Sequence, residues 1–409
     1  MSYGGTTFTL GTDSSGYSYP GDSTHRDAVF DVPVMKLHKE IRDTMIFSKW
    51  IGKQSDTEKD YSPITSNFDL TKKKGDTLKF HALPKLDGDG VPGDGYMLGS
   101  EESMEIAQKT CYVNQLRHAV MDSGEASGQR GLYEIIETAR PELARWWADR
   151  LEEDIIRTAL YNQPPHVATT IATYGLNIES HIATPPRYWY CADSDNNSIT
   201  YSSTNSVHET NIETAEGTLA NTETDFMSPN VLEGMGTILR TANFMRVNFK
   251  GFSGYLCVLH PYQVAQLRKN EDWFRAYITA GPRDEKGNAI FAGVNAQGEV
   301  GCWNNFYIME SNKIPTSAHS ARYSEVPING AAEANVRRAI FMGANAMFYA
   351  EAKRPTFARE LIDYGNRKGV AIVGNWGATR CDYTEDSSTA TLLAQTVAVC
   401  STYSPASTV

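Results

Sequence analysis

Apolar residues return every three or four positions through one long stretch of this chain. Leu132, Ile135, Ile136, Ala139, Leu143, Trp146, Trp147, Leu151, Ile155 and Ala159 share one helical stripe, widest at the Trp pair. The stripe predicts a helix from about Gly131 to Tyr161, roughly 45 Å long at ~1.5 Å per residue. Pro141 interrupts it, but the stripe keeps phase across the proline, so one kinked helix is expected. Pro164-Pro165 ends it. The polar face alternates in sign through Arg145, Asp149, Arg150, Glu152, Glu153, Asp154 and Arg157, as on a face that meets solvent or another subunit.

Shorter patterns flank this helix. Pro33 followed by Val34, Leu37, Ile41, Met45 and Ser48 on one face predicts a helix over 33–50, closed by Trp50-Ile51-Gly52. A strand-like run, Thr77–Leu83, meets the acidic, Gly-rich stretch Leu86–Tyr96, and a second run, Ser103–Val113, follows. A projecting hairpin feeding one long helix suits a subunit that reaches over its neighbours. Ser228-Pro229 starts a helix with Leu232, Met235, Leu239 and Ala242 on its face. Gly254–Leu259 reads as a buried strand, and His260-Pro261 opens a short helix with Val264, Leu267 and Arg268. Phe306–Met309, Arg338–Met342 and Gly369–Val373 are further strands. The elements make an α+β protein.

Three stretches lack these patterns. Residues 1–30 are rich in Gly, Ser, Thr and Tyr and are unable to bury enough surface to fold alone. Residues 165–230 are rich in Thr, Ser, Asn and Tyr and hold eight acids against one base, Arg187, a balance of −7. They read as an insertion of short strands and loops on an exposed surface, not as core. Beyond about Asp382 the chain is Ser/Thr/Ala-rich, which suggests a strand that binds another subunit.

Composition narrows the function. The 409 residues are 41% hydrophobic and 21% charged, an ordinary globular balance. A net charge of −11 argues against a duplex-DNA binder working through a basic face. The six cysteines are widely spread without a C-x-x-C pair, so they read as reduced thiols of a cytoplasmic protein. No run of 18 apolar residues exists to span a membrane, and the first residues do not form a signal peptide.

Candidate chemistry is thin. No P-loop, GxSxG, HExxH or GxGxxG pattern is present, and no cofactor is expected. Asp87, Asp89 and Asp94 alternate with glycines and offer oxygen ligands of the kind calcium takes, but without EF-hand spacing; a flexible acidic hairpin tip is the reading adopted. His260, before Pro261, reads as a structural turn histidine. Glu137, Glu142, Glu152, Glu153 and Asp154 could be imagined as paired acid catalysts, but helical spacing spreads them around a solvated face. Lys72–Lys74 with Lys79 and Lys85 form a basic cluster, read as meeting acids of a neighbouring subunit at 87–105 and 149–154, since it lacks the aromatics of a single-strand binder.

An ordered set of segments resembles the major capsid proteins of N-four-like tailed phages. It comprises Gly88–Gly95 with Glu101-Glu102, Gln115–Val120, Val258–Gln263 with Leu267 and Trp273, Gly298–Cys302, Arg338–Tyr349, Glu360–Gly365 and Gly369–Gly377. The resemblance covers roughly residues 30–380. It implies a Hong Kong 97-type fold: N-terminal arm 1–50, extended-loop hairpin 51–125, spine helix of the peripheral domain 126–164, acidic insertion 165–227, axial domain 228–335, peripheral strands 336–380 and C-terminal tail 381–409. It implies a podovirus virion subunit, assembled in the host cytoplasm through hexamers and pentamers into an icosahedral shell. That shell encloses double-stranded DNA without sequence-specific binding, works with portal and scaffolding proteins and a decoration protein, and needs no membrane. Lys79, Lys85, Asp87, Asp89, Asp94, Glu101, Glu102, Arg145 and Arg150 are the expected inter-subunit contacts; Trp146, Trp147, Leu151 and Pro261 are the expected core. An encapsulin-like compartment shell and a soluble hydrolase are the competing functions.

Overall fold

The computed structural model describes residues 46–53, 62–67, 75–82, 91, 93, 107–122, 124, 135–161, 186, 188–192, 198–200, 212, 215–249, 252–280, 299–303, 305–314, 335–362, 364, 366–381, 383–384, 392–394 and 396–405. A 3-10 turn, Ile46–Lys49, leads into β1 (Ile51–Lys53), β2 (Ile64–Asn67), β3 (Thr77–Ala82), β4 (Ala107–Tyr112) and β5 (Asn114–Met121), followed by helix α1 (Ile135–Tyr161). Next come β6 (Tyr188–Cys191), β7 (Ser198–Thr200), α2 (Pro229–Thr241), β8 (Val247–Phe249), β9 (Phe252–Leu259), α3 (Pro261–Lys269) and α4 (Glu271–Ala280). Strands complete the chain: β10 (Glu299–Trp303), β11 (Phe306–Glu310), β12 (Val336–Met342), β13 (Met347–Ile362), β14 (Arg367–Arg380), β15 (Tyr383–Thr384), β16 (Leu392–Ala394) and β17 (Val397–Tyr403).

These elements fall into two compact units. Among the described residues, the smaller takes 117–147 and 356–373, and the larger takes the rest. The larger unit is built on an eight-stranded mixed sheet, ordered β10-β11-β9-β12-β17-β6-β7, with β8 on β9. β11 runs parallel to β9 and β6 parallel to β17, while β12 is antiparallel to both its neighbours. All seven residues of β12 are buried, so this strand reads as a continuous run rather than an alternation. Leu232, Met235 and Leu239 of α2, Val264 and Leu267 of α3, and Trp273 of α4 pack on Tyr255, Cys257, Phe306, Ile308, Ala339, Phe341, Ala398 and Cys400 of the sheet.

Local chemistry places the helices. The Ser228 hydroxyl accepts from the Val231 amide and Pro229 occupies the first turn of α2, as the sequence predicts. The helix stops where Asn243 turns left-handed at φ 55° and the Phe244 amide returns to the Leu239 carbonyl. His260 caps α3: its Nδ1 accepts from the Tyr262 amide, and Gln263 reaches back to the His260 amide at 2.9 Å. The structural role expected for His260 holds. Pro261 is half-buried at the helix start rather than in the core.

Two expectations about the large sheet fail. The 165–230 stretch is not all surface: β6 lies inside the sheet, Trp189 is fully buried, and Ile212, Glu216 and Met227 are buried with it. The residues beyond 382 do not serve only a neighbour, since β17 sits between β12 and β6 with Val397–Ser401 buried. In both stretches the apolar residues are few and lie within polar surroundings, so the average composition hid short core strands.

A second sheet is ordered β1-β2-β13-β14-β5. β1, β2 and the start of β13 run parallel in the larger unit. Of the helix predicted over 33–50, residues up to 45 lie outside the described ones; Ile46–Lys49 forms a 3-10 turn, with Phe47 and Trp50 buried and Trp50 edge-on to Tyr307 at 4.9 Å. In α1 the helix is continuous through Pro141. All six cysteines are free thiols. Among the described residues no helix is long and apolar enough to cross a membrane.

Candidate interaction surfaces

The predicted hairpin has a well-anchored stem. β3 and β4 pair antiparallel from Thr77↔Tyr112 to Ala82↔Ala107. Phe80 stacks on Phe348 at 4.0 Å and 13°, with Cys111, Ala350 and Cys381 closing the cluster. Burial pushes the Cys111 thiol up to about 12, in keeping with its place inside this apolar cluster. Gly377 of β14 passes so near the stem that a Cβ would overlap the Tyr112 carbonyl oxygen. Lys79 is exposed on β3. Lys85, Asp87, Asp89, Asp94, Glu101 and Glu102 lie outside the described residues.

Helix α1 carries its charges differently from the solvated face the sequence suggests. From Arg150 to Leu160 every residue but Glu153 is buried. Arg150 is 8% exposed and clasps Asp154 through Nε and Nη2, both at 3.1 Å, so its guanidinium is engaged within the subunit. Arg157 donates to Glu153 at 2.9 Å. Glu152 accepts from the Ser311 hydroxyl at 2.8 Å and from the Ile46 amide at 3.5 Å, and burial holds its carboxyl above the usual range. Lys313 pairs with Asp149 at 3.6 Å beside it. At the end of the helix the buried Arg380 guanidinium donates to the Ala159 carbonyl, where the helix dipole favours a cation. Alternating charge on a helix marks pairing partners, but it does not say whether water is one of them.

The expected core residues divide. Leu151 and Trp147 are each 8% exposed. Trp146 is half-buried and stacks on the exposed His118 at 4.4 Å, so it belongs to the rim of the smaller unit. Arg145 is partly exposed and pairs with Glu142 at 3.5 Å.

A second buried charge centre escaped the sequence reading. Arg338 of β12 grips Glu216 with two bonds, 2.9 and 2.8 Å. The Ser401 hydroxyl donates to Glu216 at 2.6 Å, and Trp189 Nε1 donates to Ser401 Oγ at 2.9 Å. The Arg338 guanidinium also lies 5.2 Å over the Trp189 ring. The four side chains come from positions 189, 216, 338 and 401, and no local spacing links them. The centre ties the acidic stretch and the chain's last long strand to the middle of the large sheet.

The remaining surface of note is a strand. In β13 residues 353–361 are all exposed, although successive side chains point to opposite faces. Both faces of this stretch are therefore open within one copy. The turn after β13 carries Tyr364, fully exposed at φ 53°.

Comparisons with known proteins agree with one another. A family model described as phage capsid protein matches residues 24–406. The major capsid protein of Pseudomonas phage KPP25 is 25% identical over 309 residues, covering 73% of this chain and 76% of that protein. The capsid of Ralstonia phage GP4 superposes with a TM-score of 0.60 at 20% identity, covering 89% of this chain and 92% of that one. The capsid asymmetric unit of cyanophage Pam1 gives 0.60 at 16%, covering 90% and 93%.

Proposed function

Because the chain belongs to the phage capsid protein family, we propose that it acts by assembling with copies of itself. It is a major capsid protein of a bacteriophage and a component of the virion, with the mixed α/β fold of phage capsids. The finer reading is a Hong Kong 97-type subunit of a podovirus, forming hexamers and pentamers of an icosahedral shell around double-stranded DNA. The observation that carries assembly is the run 353–361, open on both faces. A strand that buries neither face within one copy is finished by another.

Within that reading, residues 1–50 are the arm, 51–125 the extended loop on its β3–β4 stem, and α1 the spine. Lys79, Lys85, Asp87, Asp89, Asp94, Glu101, Glu102 and Arg145 remain the proposed inter-subunit contacts. The large sheet is the axial core, and it takes in β6, β12 and β17 as well as residues 228–335. A net charge of −11 keeps packaged DNA from adhering to the wall. Portal, scaffolding and decoration proteins are the proposed partners, and no enzymatic step is assigned.

Negative-stain microscopy of the purified protein, alone and from co-expressing cells, tests this. Closed shells or hexamer-sized rings are expected. Uniform monomers in both settings overturn the proposal, and shells filled with a cargo enzyme instead of DNA turn it toward a compartment protein. Deleting residues 86–99 is expected to leave a folded monomer that assembles poorly.

A further inference from the structure

Six large apolar side chains are exposed among the described residues, and four of them, Met121, Phe357, Leu361 and Tyr364, belong to the smaller unit. Phe357 and Leu361 share one face of β13 with Arg359 by strand alternation. Gly369 of β14 lies against the carbonyls of Glu360 and Val120, which places β5 and the end of β13 on its two sides. Tyr364 stands wholly in solvent in the turn between β13 and β14, with φ at 53°. That left-handed backbone suits Gly or Asn, and a bulky aromatic occupies it at a cost. Observed strain at a projecting aromatic is a mark of a contact made elsewhere.

The rim of this tip is basic. Arg117, Arg359, Arg367 and Lys368 are exposed, against one exposed acid, Glu360, among the described residues of the unit. An apolar centre with a charged rim is the anatomy of a recognition surface, and Tyr and Arg are its usual anchors. A basic rim calls for an acidic partner. The chain supplies one: its net charge is −11, and residues 165–230 hold six acids besides the buried Glu216 and Asp225, against the single base Arg187.

We propose that the β13–β14 tip, with Tyr364 as its anchor, docks onto an acidic surface of a second copy of this chain. The inference rests on the reading of the chain as a self-assembling capsid subunit. Tyr364 would enter a pocket of the neighbour while the arginines and Lys368 pair with its carboxylates. Such pairing gives register and speed of encounter as much as affinity.

The test mixes isotopically light and heavy copies, assembles them, and joins Lys368 to any carboxylate in contact with a carbodiimide, which leaves no spacer. Mass spectrometry is expected to find Lys368 linked to an acidic peptide of the other isotope. Tyr364→Asn should melt at or above the wild-type temperature, since Asn tolerates the backbone, yet need about tenfold more protein to assemble. Arg359→Glu with Lys368→Glu should show the same loss, and added salt should mimic it in the wild type.

Wild-type shells in which Lys368 links only within its own copy would overturn the inference and leave the capsid reading intact. So would a Tyr364→Asn protein that assembles at the wild-type concentration. Charge-reversed shells that form normally but lose their nucleic acid would reassign the tip to the genome. Wild-type protein that never assembles would overturn the capsid reading and this inference together.

Discussion

Charged residues in this protein are most consequential where they are least exposed. Glu152 joins α1 to the Ser311 hydroxyl and the Ile46 amide from a buried position, and its carboxyl is held above its ordinary range by desolvation. An acid whose folded pKa is raised contributes stability that is full below its unfolded pKa and is lost as pH rises through the folded one. Glu152→Gln keeps an acceptor for Ile46 and a group that can bond Ser311, so melting at pH 8 should be as high as wild type or higher. That advantage should vanish below the ordinary value of 4.5; melting curves across pH check it. The Glu216–Arg338 pair is tested by truncation instead. Glu216→Ala strands a buried guanidinium and should cost about 3–5 kcal/mol, while Glu216→Met with Arg338→Met should recover most of the loss. Denaturant titration distinguishes the two. Trp147→Ala should cost about 3–5 kcal/mol, and Trp146→Ala clearly less because its ring is half-exposed. The sequence showed His260 as a turn residue and Trp147 as core, since their signals are local. It did not show Glu152, Arg150 or Glu216 as interior, because a charge reads as surface until its partner, in some cases more than a hundred residues away, is known.

Elements were legible in proportion to how one-sided they are. α2 and α3 each bury one face and carry their own caps, and both start where Ser228-Pro229 and His260-Pro261 say. The hairpin stem and strands β9, β11 and β12 of the large sheet were equally readable from their apolar and aromatic runs, whereas β6 and β17 were not read as core. The long pair β13 and β14 was not: only Gly369–Val373 stood out from a strand that runs Arg367–Arg380. With both faces of 353–361 open, neither alternation nor a continuous apolar run marks β13. Close packing is hidden for a related reason, since a glycine has no side chain to report what it touches. Gly377→Ala should dislodge β14 from the Tyr112 carbonyl and lower the melting temperature by several degrees. The same change at Gly217, which has open space around it, should be nearly silent and serves as the control.

The larger unit holds a densely packed sheet, and β13 includes a stretch that one copy leaves open on both faces. Family membership marks a capsid subunit that associates with its own copies, and the open strand is surface left uncovered within one copy. The position of β17 has a consequence for how such a protein is made. Its pairing partners β6 and β12 both precede it, and it lies between them, so the centre of the sheet stays open until Val397–Tyr403 has left the ribosome. Nascent chains halted before Val397 should therefore remain sensitive to protease, and a pulse of protease on stalled complexes checks this. A chain ordered this way withholds its finished large sheet until translation has passed β17.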